Sequence, residues 1–127
     1  MIVQNPARDT VLGAAIEVAE TSATRAKGLL GRDALADGEG LLFKHCSSLH
    51  TLFMRFAIDI AFIAKDGKVL KLSHSVPPFR ICVAPLRAHY ALELPAGSIE
   101  ASGTKVNDML KFVDEYMEAA EPLEATA

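Results

Sequence analysis

A chain of 127 residues, half of them apolar, is long enough to bury about two thirds of its unfolded surface in one core and too hydrophobic to stay disordered. Its 13 basic and 16 acidic side chains leave a net charge of −3, which excludes general attraction to nucleic acid. No segment approaches the ~18–20 consecutive apolar residues of a membrane span.

The opening MIVQNPARDT has neither the basic start nor the apolar run of a secretory signal, and acids follow at Asp9, Glu17 and Glu20. The expectation is a single cytoplasmic domain over residues 1–127, with its core at 13–113 and an acidic tail at 114–127 that is helical or disordered. Cys46 and Cys82 are then expected to be reduced, and two cysteines cannot build a four-thiolate zinc site. Charge is unevenly spread: Lys65 to Tyr90 holds five Lys or Arg against one acid, and Ala91 to the end holds two against eight. The middle therefore offers a basic face for an anion, or a partner for the acidic tail.

In chain order, residues 1–10 read as a frayed start and Ala14 to Ala19 as a short strand with Ile16 and Val18 on one face. Thr21 or Ser22 can cap a helix in which Ala23, Ala26, Leu29 and Leu30 repeat at helical spacing, with Arg25, Lys27 and Arg32 outside. Gly28 and Gly31 argue for close packing or an early end. Asp37 to Gly40 is a turn, and Leu41 to Phe43 a short buried strand.

The longest β-prone run is His50 to Ile63, HTLFMRFAIDIAFI, in which Arg55 and Asp59 interrupt residues suited to a pleated, half-buried surface. Unpaired charge is costly to bury, so each must reach solvent or a partner. One reading puts both at a strand end or bulge, paired; the other makes them a polar site where the strand breaks between Met54 and Ala57. Asp66-Gly67 predicts a two-residue hairpin turn between strands ending near Ile63 and starting at Val69. The second strand ends at Ser73, before Pro77-Pro78, and residues to Pro85 read as a loop carrying Arg80 and Cys82. Ala88 to Leu94 alternates as a strand with Glu93 its only acid, Ser98 to Ser102 makes one helical turn before Gly103, and Met109 to Val113 fits a strand or a helix start.

The order ATRAKGLLGRDAL, GEGLLF, HTLFMRFAIDIAFI, DGKVLKL and ALELPAG, over roughly residues 13 to 113, resembles the DUF192 family of small prokaryotic domains of uncharacterised function. The resemblance implies a mainly β (α+β) fold: a compact β-sandwich or partly closed barrel with one helix in the N-terminal half and short peripheral helices. It also implies a strand over Lys105 to Val113, entered by a turn that is Gly-Asp in the family and Asn107-Asp108 here. The chain departs from the family pattern at Ala57, where proline is common, and at His50, near which many members carry Trp. Several relatives begin with a signal peptide, unlike this sequence. The family supplies no catalytic set.

Candidate chemistry rests on few residues. His45, Cys46 and His50 are metal-ligand types at short spacing that would need Asp59, His74, Cys82 or His89 to complete a site; loop-end histidines and a buried thiol are the simpler account. A hydrolytic or metal-assisted enzyme would use Cys46, His50, Asp59 and Glu93, the two carboxylates within ~5–10 Å across a cleft. Arg25, Arg32, Arg55 and Arg80 could converge on a carboxylate or phosphate, and Arg55, Asp59 and Glu93 could instead form an internal charge network. The leading expectation is a binding domain without cofactor or metal, taking a small anionic ligand or a partner peptide through Arg55, Asp59, His50, Glu93, Arg25, Arg32 and Arg80. A pure protein-interaction role through a sheet edge or the tail is the further alternative; neither nucleic acid nor membrane is an expected partner.

Overall fold

A computed structural model of the chain describes residues 1–19, 34–44 and 55–114, together with the backbone of residues 48–50. The predicted helix with Arg25 and Arg32, the His45-Cys46 pair, residues 51–54 and the tail beyond Asp114 lie outside the described residues.

The frame is a five-stranded sheet made of β3 (Ala15–Ala19), β4 (Glu39–Lys44), β9 (Ala88–Pro95), β6 (Ile58–Ala64) and β7 (Val69–Val76), in that spatial order. Only β3 and β4 run parallel; the other neighbours are antiparallel. A second sheet has β1 (Ile2–Asn5) between β10 (Lys111–Val113) and β2 (Thr10–Gly13), and a third pairs β5 (Ser48–His50) with β8 (Ile81–Val83). The fold is mainly β, and among the described residues it has one short helix, α1 (Ser98–Ser102), and a 3₁₀ turn at Pro6–Arg8. Among the described residues no barrel closes, because β3 and β7 end the large sheet without meeting.

The large sheet is buried on both faces, which is why β6 reads as a continuous apolar run rather than an alternating one. On the inner face Leu42, Ala61, Ile63, Leu92 and Leu94 meet Val3, Leu12 and Leu110 of the small sheet and its approaches. On the outer face Leu41, Phe43, Ile58, Ile60, Phe62 and Ala91 form a second layer, against which Phe56, Cys82, Ala84 and Ala88 pack half-buried. Full burial of residues such as Phe62, Ile60 and Leu92 contributes roughly 1.5–3 kcal/mol each.

The structure changes several expectations. Residues 1–10 are not frayed: β1 pairs antiparallel on both sides, and Val3 and Asn5 are fully buried. One of its two partners, β10, arrives from more than a hundred positions away, a contact that no local pattern encodes. Asn5 Nδ2 donates to Thr104 Oγ1 at 3.1 Å and Asp108 Oδ2 at 3.0 Å, and Arg8 Nε reaches the same carboxylate at 3.0 Å. The stretch from Pro77 to Pro85 is not all loop, because β8 lies within it. In the long run β5 (Ser48–His50) and β6, from Ile58, are separate strands, and the bend at Arg55 and Phe56 falls where one of the two readings placed a break, between Met54 and Ala57.

The Asp-Gly hairpin exists, with a three-residue loop instead of two. Gly67 N–H donates to Ala64 O at 2.9 Å, Ala64 N–H to Lys68 O at 2.8 Å, and Gly67 sits at φ 101. That positive φ makes Lys65-Asp66-Gly67 a type I turn closed by a glycine bulge. Strand β7 continues past Ser73 to Val76, with Ser75 at φ 46 where its register against β6 slips. The strand implied over Lys105 to Val113 is confined to Lys111–Val113. Asn107, at φ 79, occupies the family's glycine position; asparagine tolerates the left-handed region better than most residues. The helical turn at Ser98 to Ser102 is found as predicted, closed by Gly103 at φ 70.

Candidate functional site

Asp59 is fully buried, and its carboxylate is occupied. Oδ1 accepts from Ser75 N–H at 2.8 Å, and Oδ2 from Gly97 N–H at 3.1 Å and Ile99 N–H at 2.9 Å. Gly97 and Ile99 open α1, whose first N–H groups have no acceptor within the helix, and Ser75 is the bulged residue of β7. A carboxylate from the neighbouring strand thus caps the helix and fastens the bulge, with charge-assisted bonds in a dry setting. The ID pair and the PAG segment, 38 residues apart, are two halves of one structural clamp.

Glu93 is placed differently. In the β6–β9 ladder Asp59 stands opposite Leu94, and Glu93 opposite Ile60. Successive strand residues alternate faces, so Asp59 points inward with Leu94 and Glu93 outward with Ile60. The two carboxylates therefore share neither a cleft nor a charge network. On its other side Glu93 faces Leu41 of β4. Only 4% of Glu93 is exposed, and no hydrogen bond or ion pair reaches its carboxyl among the described residues. Burial pushes its pKa up to about 7.

Around this face stand other predicted residues. Arg55 is exposed in the bend ahead of β6, next to Phe56, which packs on the outer layer. Arg80 is exposed before β8, its Nη1 3.4 Å from Phe79 O. The backbone of His50 ends β5, paired with Ile81. Arg25 and Arg32 lie outside the described residues; Arg55 and Arg80 flank residues that pack on the outer layer, the face to which Glu93 points, whereas Asp59 points to the opposite one. His74 is exposed on β7, Cys82 is half-buried against the outer layer, and the His89 ring meets Tyr90 edge-on at 4.5 Å. Among the described residues no three His, Cys, Asp or Glu side chains gather as metal ligands.

Two features escape the local reading. The Asn5, Thr104, Asp108 and Arg8 network joins residues about a hundred positions apart and leaves no periodic signal. The second, an apolar ridge at Phe79, Ile81 and Val83, does leave one, since the three alternate along PPFRICVAP.

Sheets, helix cap and ladder together define a mainly β domain with a buried carboxyl on its outer face. The chain belongs to the DUF192 family, described as an uncharacterized ACR, whose model matches residues 3–112. UPF0127 protein PF1050 of Pyrococcus furiosus is 39% identical over 66 residues, 52% of this chain and 56% of that protein, so the match spans little more than half the relative's length. A crystal structure of a protein of unknown function from Novosphingobium aromaticivorans superposes with a TM-score of 0.69 at 27% identity, covering 76% of this chain and 74% of that one. Another, of a proposed transcription regulator from Sinorhizobium meliloti, gives a TM-score of 0.75 at 23% identity over 87% and 89% of the two chains, a likeness of fold alone. Among the described residues no helix is long and apolar enough to cross a membrane.

Proposed function

We propose that the domain binds a small anionic ligand at the outer face of the five-stranded sheet, with Glu93 as its proton-carrying contact and Arg55 and Arg80 as its positive charges. The observation that carries this reading is Glu93 itself, a residue only 4% exposed on an otherwise apolar layer, whose carboxyl receives no hydrogen bond or ion pair among the described residues. A buried polar group left unmatched costs stability, and sites that keep one tend to use it. With its pKa pushed up to about 7, Glu93 can hold a proton at neutral pH and donate it in a hydrogen bond to a carboxylate or phosphate oxygen. The guanidinium forks of Arg55 and Arg80 suit the same oxygens. The proposed compartment is the cytoplasm, where Cys82 stays a thiol.

Linkage supplies the test. An anion settling beside Glu93 favours its protonated form, so binding above pH 7 takes up a proton. Calorimetry with succinate and with sulfate, both fully ionised at pH 7.5, in buffers of different ionisation enthalpy reads that uptake directly. Wild-type protein is expected to take up a fraction of a proton per ligand, and Glu93→Gln none. Heat without proton uptake would remove Glu93 from the site, and absence of binding by both anions would remove the ligand class.

A further inference from the structure

We infer that β8 and the turns on either side of it form a docking surface for an extended, acidic and apolar segment of a partner protein. Phe79, Ile81 and Val83 are 64%, 69% and 65% exposed, and Leu86 is fully exposed. Isolated exposed apolar side chains are ordinary, but four among eight consecutive residues on one strand and its turns make a patch. Cys82, between Ile81 and Val83, faces the outer core layer and anchors the strand from below. Lys71 Nζ donates to Val83 O at 3.1 Å and ties β8 to β7. The ridge is therefore held in place while its outward side chains contact solvent.

Phe79 adds an independent observation. It sits at φ 63, a conformation that a bulky non-glycine residue rarely adopts. Glycine would make the same turn without strain, and a ring left 64% exposed offsets little of it by burial. Such strain, kept at an exposed aromatic, is characteristic of a recognition element.

Charge identifies the partner's chemistry. No Asp or Glu occurs between Asp66 and Glu93, whereas Lys68, Lys71, Arg80 and Arg87 do. Arg80 and Arg87 are exposed at the two ends of the ridge, so acids flanking the apolar positions of a partner would meet opposite charge. Side chains at every second position suit an extended peptide, whose own alternate residues would lie between Phe79, Ile81 and Val83. Among the described strands β8 pairs only with β5. An anionic membrane surface would also attract the arginines, but it offers no alternate side chains to lie between Phe79, Ile81 and Val83.

The test uses the full-length chain and a fluorescein-labelled decapeptide of alternating valine and glutamate, read by anisotropy. Its valine–lysine counterpart and phosphatidylcholine–phosphatidylserine vesicles serve as comparisons. Expected results are saturable binding of the glutamate peptide that weakens with salt, and at least tenfold weaker binding by Ile81→Glu. Phe79→Gly, which relaxes the turn while removing the ring, is expected to lose affinity with its circular dichroism unaltered. Equal binding of the two peptides, affinity unchanged in both Ile81→Glu and Phe79→Gly, or binding of vesicles without binding of peptide would overturn the inference.

Discussion

Replacing Glu93 with glutamine should change how stability depends on pH, because burial moves this carboxyl from its ordinary value near 4.5 to about 7 in the folded chain. Below the unfolded value both states carry the proton and the group is neutral to folding. Between the two values the folded state holds a proton that the unfolded state has released, so stability falls as pH rises, by up to about 1.4 kcal/mol per pH unit. Above pH 7 the loss is complete and amounts to about 3 kcal/mol, since at 4% exposure little solvent screening relieves it. Glutamine keeps the shape and carries no charge. Urea unfolding of both proteins at pH 5, 6, 7 and 8 isolates the effect, because titrations common to both cancel in the difference. With slopes of about 1–3 kcal/mol per molar urea, the midpoint of Glu93→Gln should gain about 1–3 M on wild type between pH 5 and pH 8. Parallel midpoints across that range would refute the burial of an unpaired carboxyl on the outer face.

Further predictions concern the parts that hold the fold. Asp59→Ala strands three backbone N–H groups, at Ser75, Gly97 and Ile99, and should cost about 3–5 kcal/mol in chemical denaturation, far more than an isolated hydrogen bond. Gly67→Ala should be worse than Gly97→Ala by ~1 kcal/mol or more in unfolding free energy: both glycines have positive φ, but a Cβ at Gly67 would lie 2.5 Å from Leu110 O and one at Gly97 meets nothing within 4 Å. Asp108 lies well below the usual carboxylate range because Arg8, Asn5 and the Lys105 N–H all donate to it. Its contribution is present above the ordinary carboxylate value and is lost as pH falls through the depressed one, so Asp108→Asn should flatten the acid limb of the unfolding profile. Phe79→Gly removes left-handed strain from an exposed side chain and should raise stability by ~0.5–1 kcal/mol in thermal unfolding.

The elements legible in the sequence are those whose cause is local. Asp66-Gly67 announces a hairpin because glycine alone meets the turn's positive φ without strain, and Ala88 to Leu94 announces a strand through its alternation. The loop length at Asp66-Gly67 was less legible: Gly67 can close a two- or a three-residue turn, and the approach of Leu110 O to Gly67 is a contact between distant segments. Residues 1–5 carry too short a pattern to declare a strand, and their pairing with Lys111–Val113 appears only once the ends of the domain meet.

The candidate site divides along the same line. The sequence by itself determined a mainly β domain of the DUF192 type and marked Arg55, Asp59 and Glu93 as charges in apolar surroundings, because burial cost is a property of residue type and neighbours. Which carboxylate is satisfied and which is not was decided by the tertiary structure alone. Asp59 and Glu93 read alike as acids inside strands, yet adjacent rungs of one ladder turn them to opposite faces of the sheet. There the first meets three N–H groups from a bulge and a helix start, and the second meets Leu41 and Ile60. The strand period of two fixes that they diverge once their rungs are paired, and the pairing itself is a long-range choice that no local stretch contains.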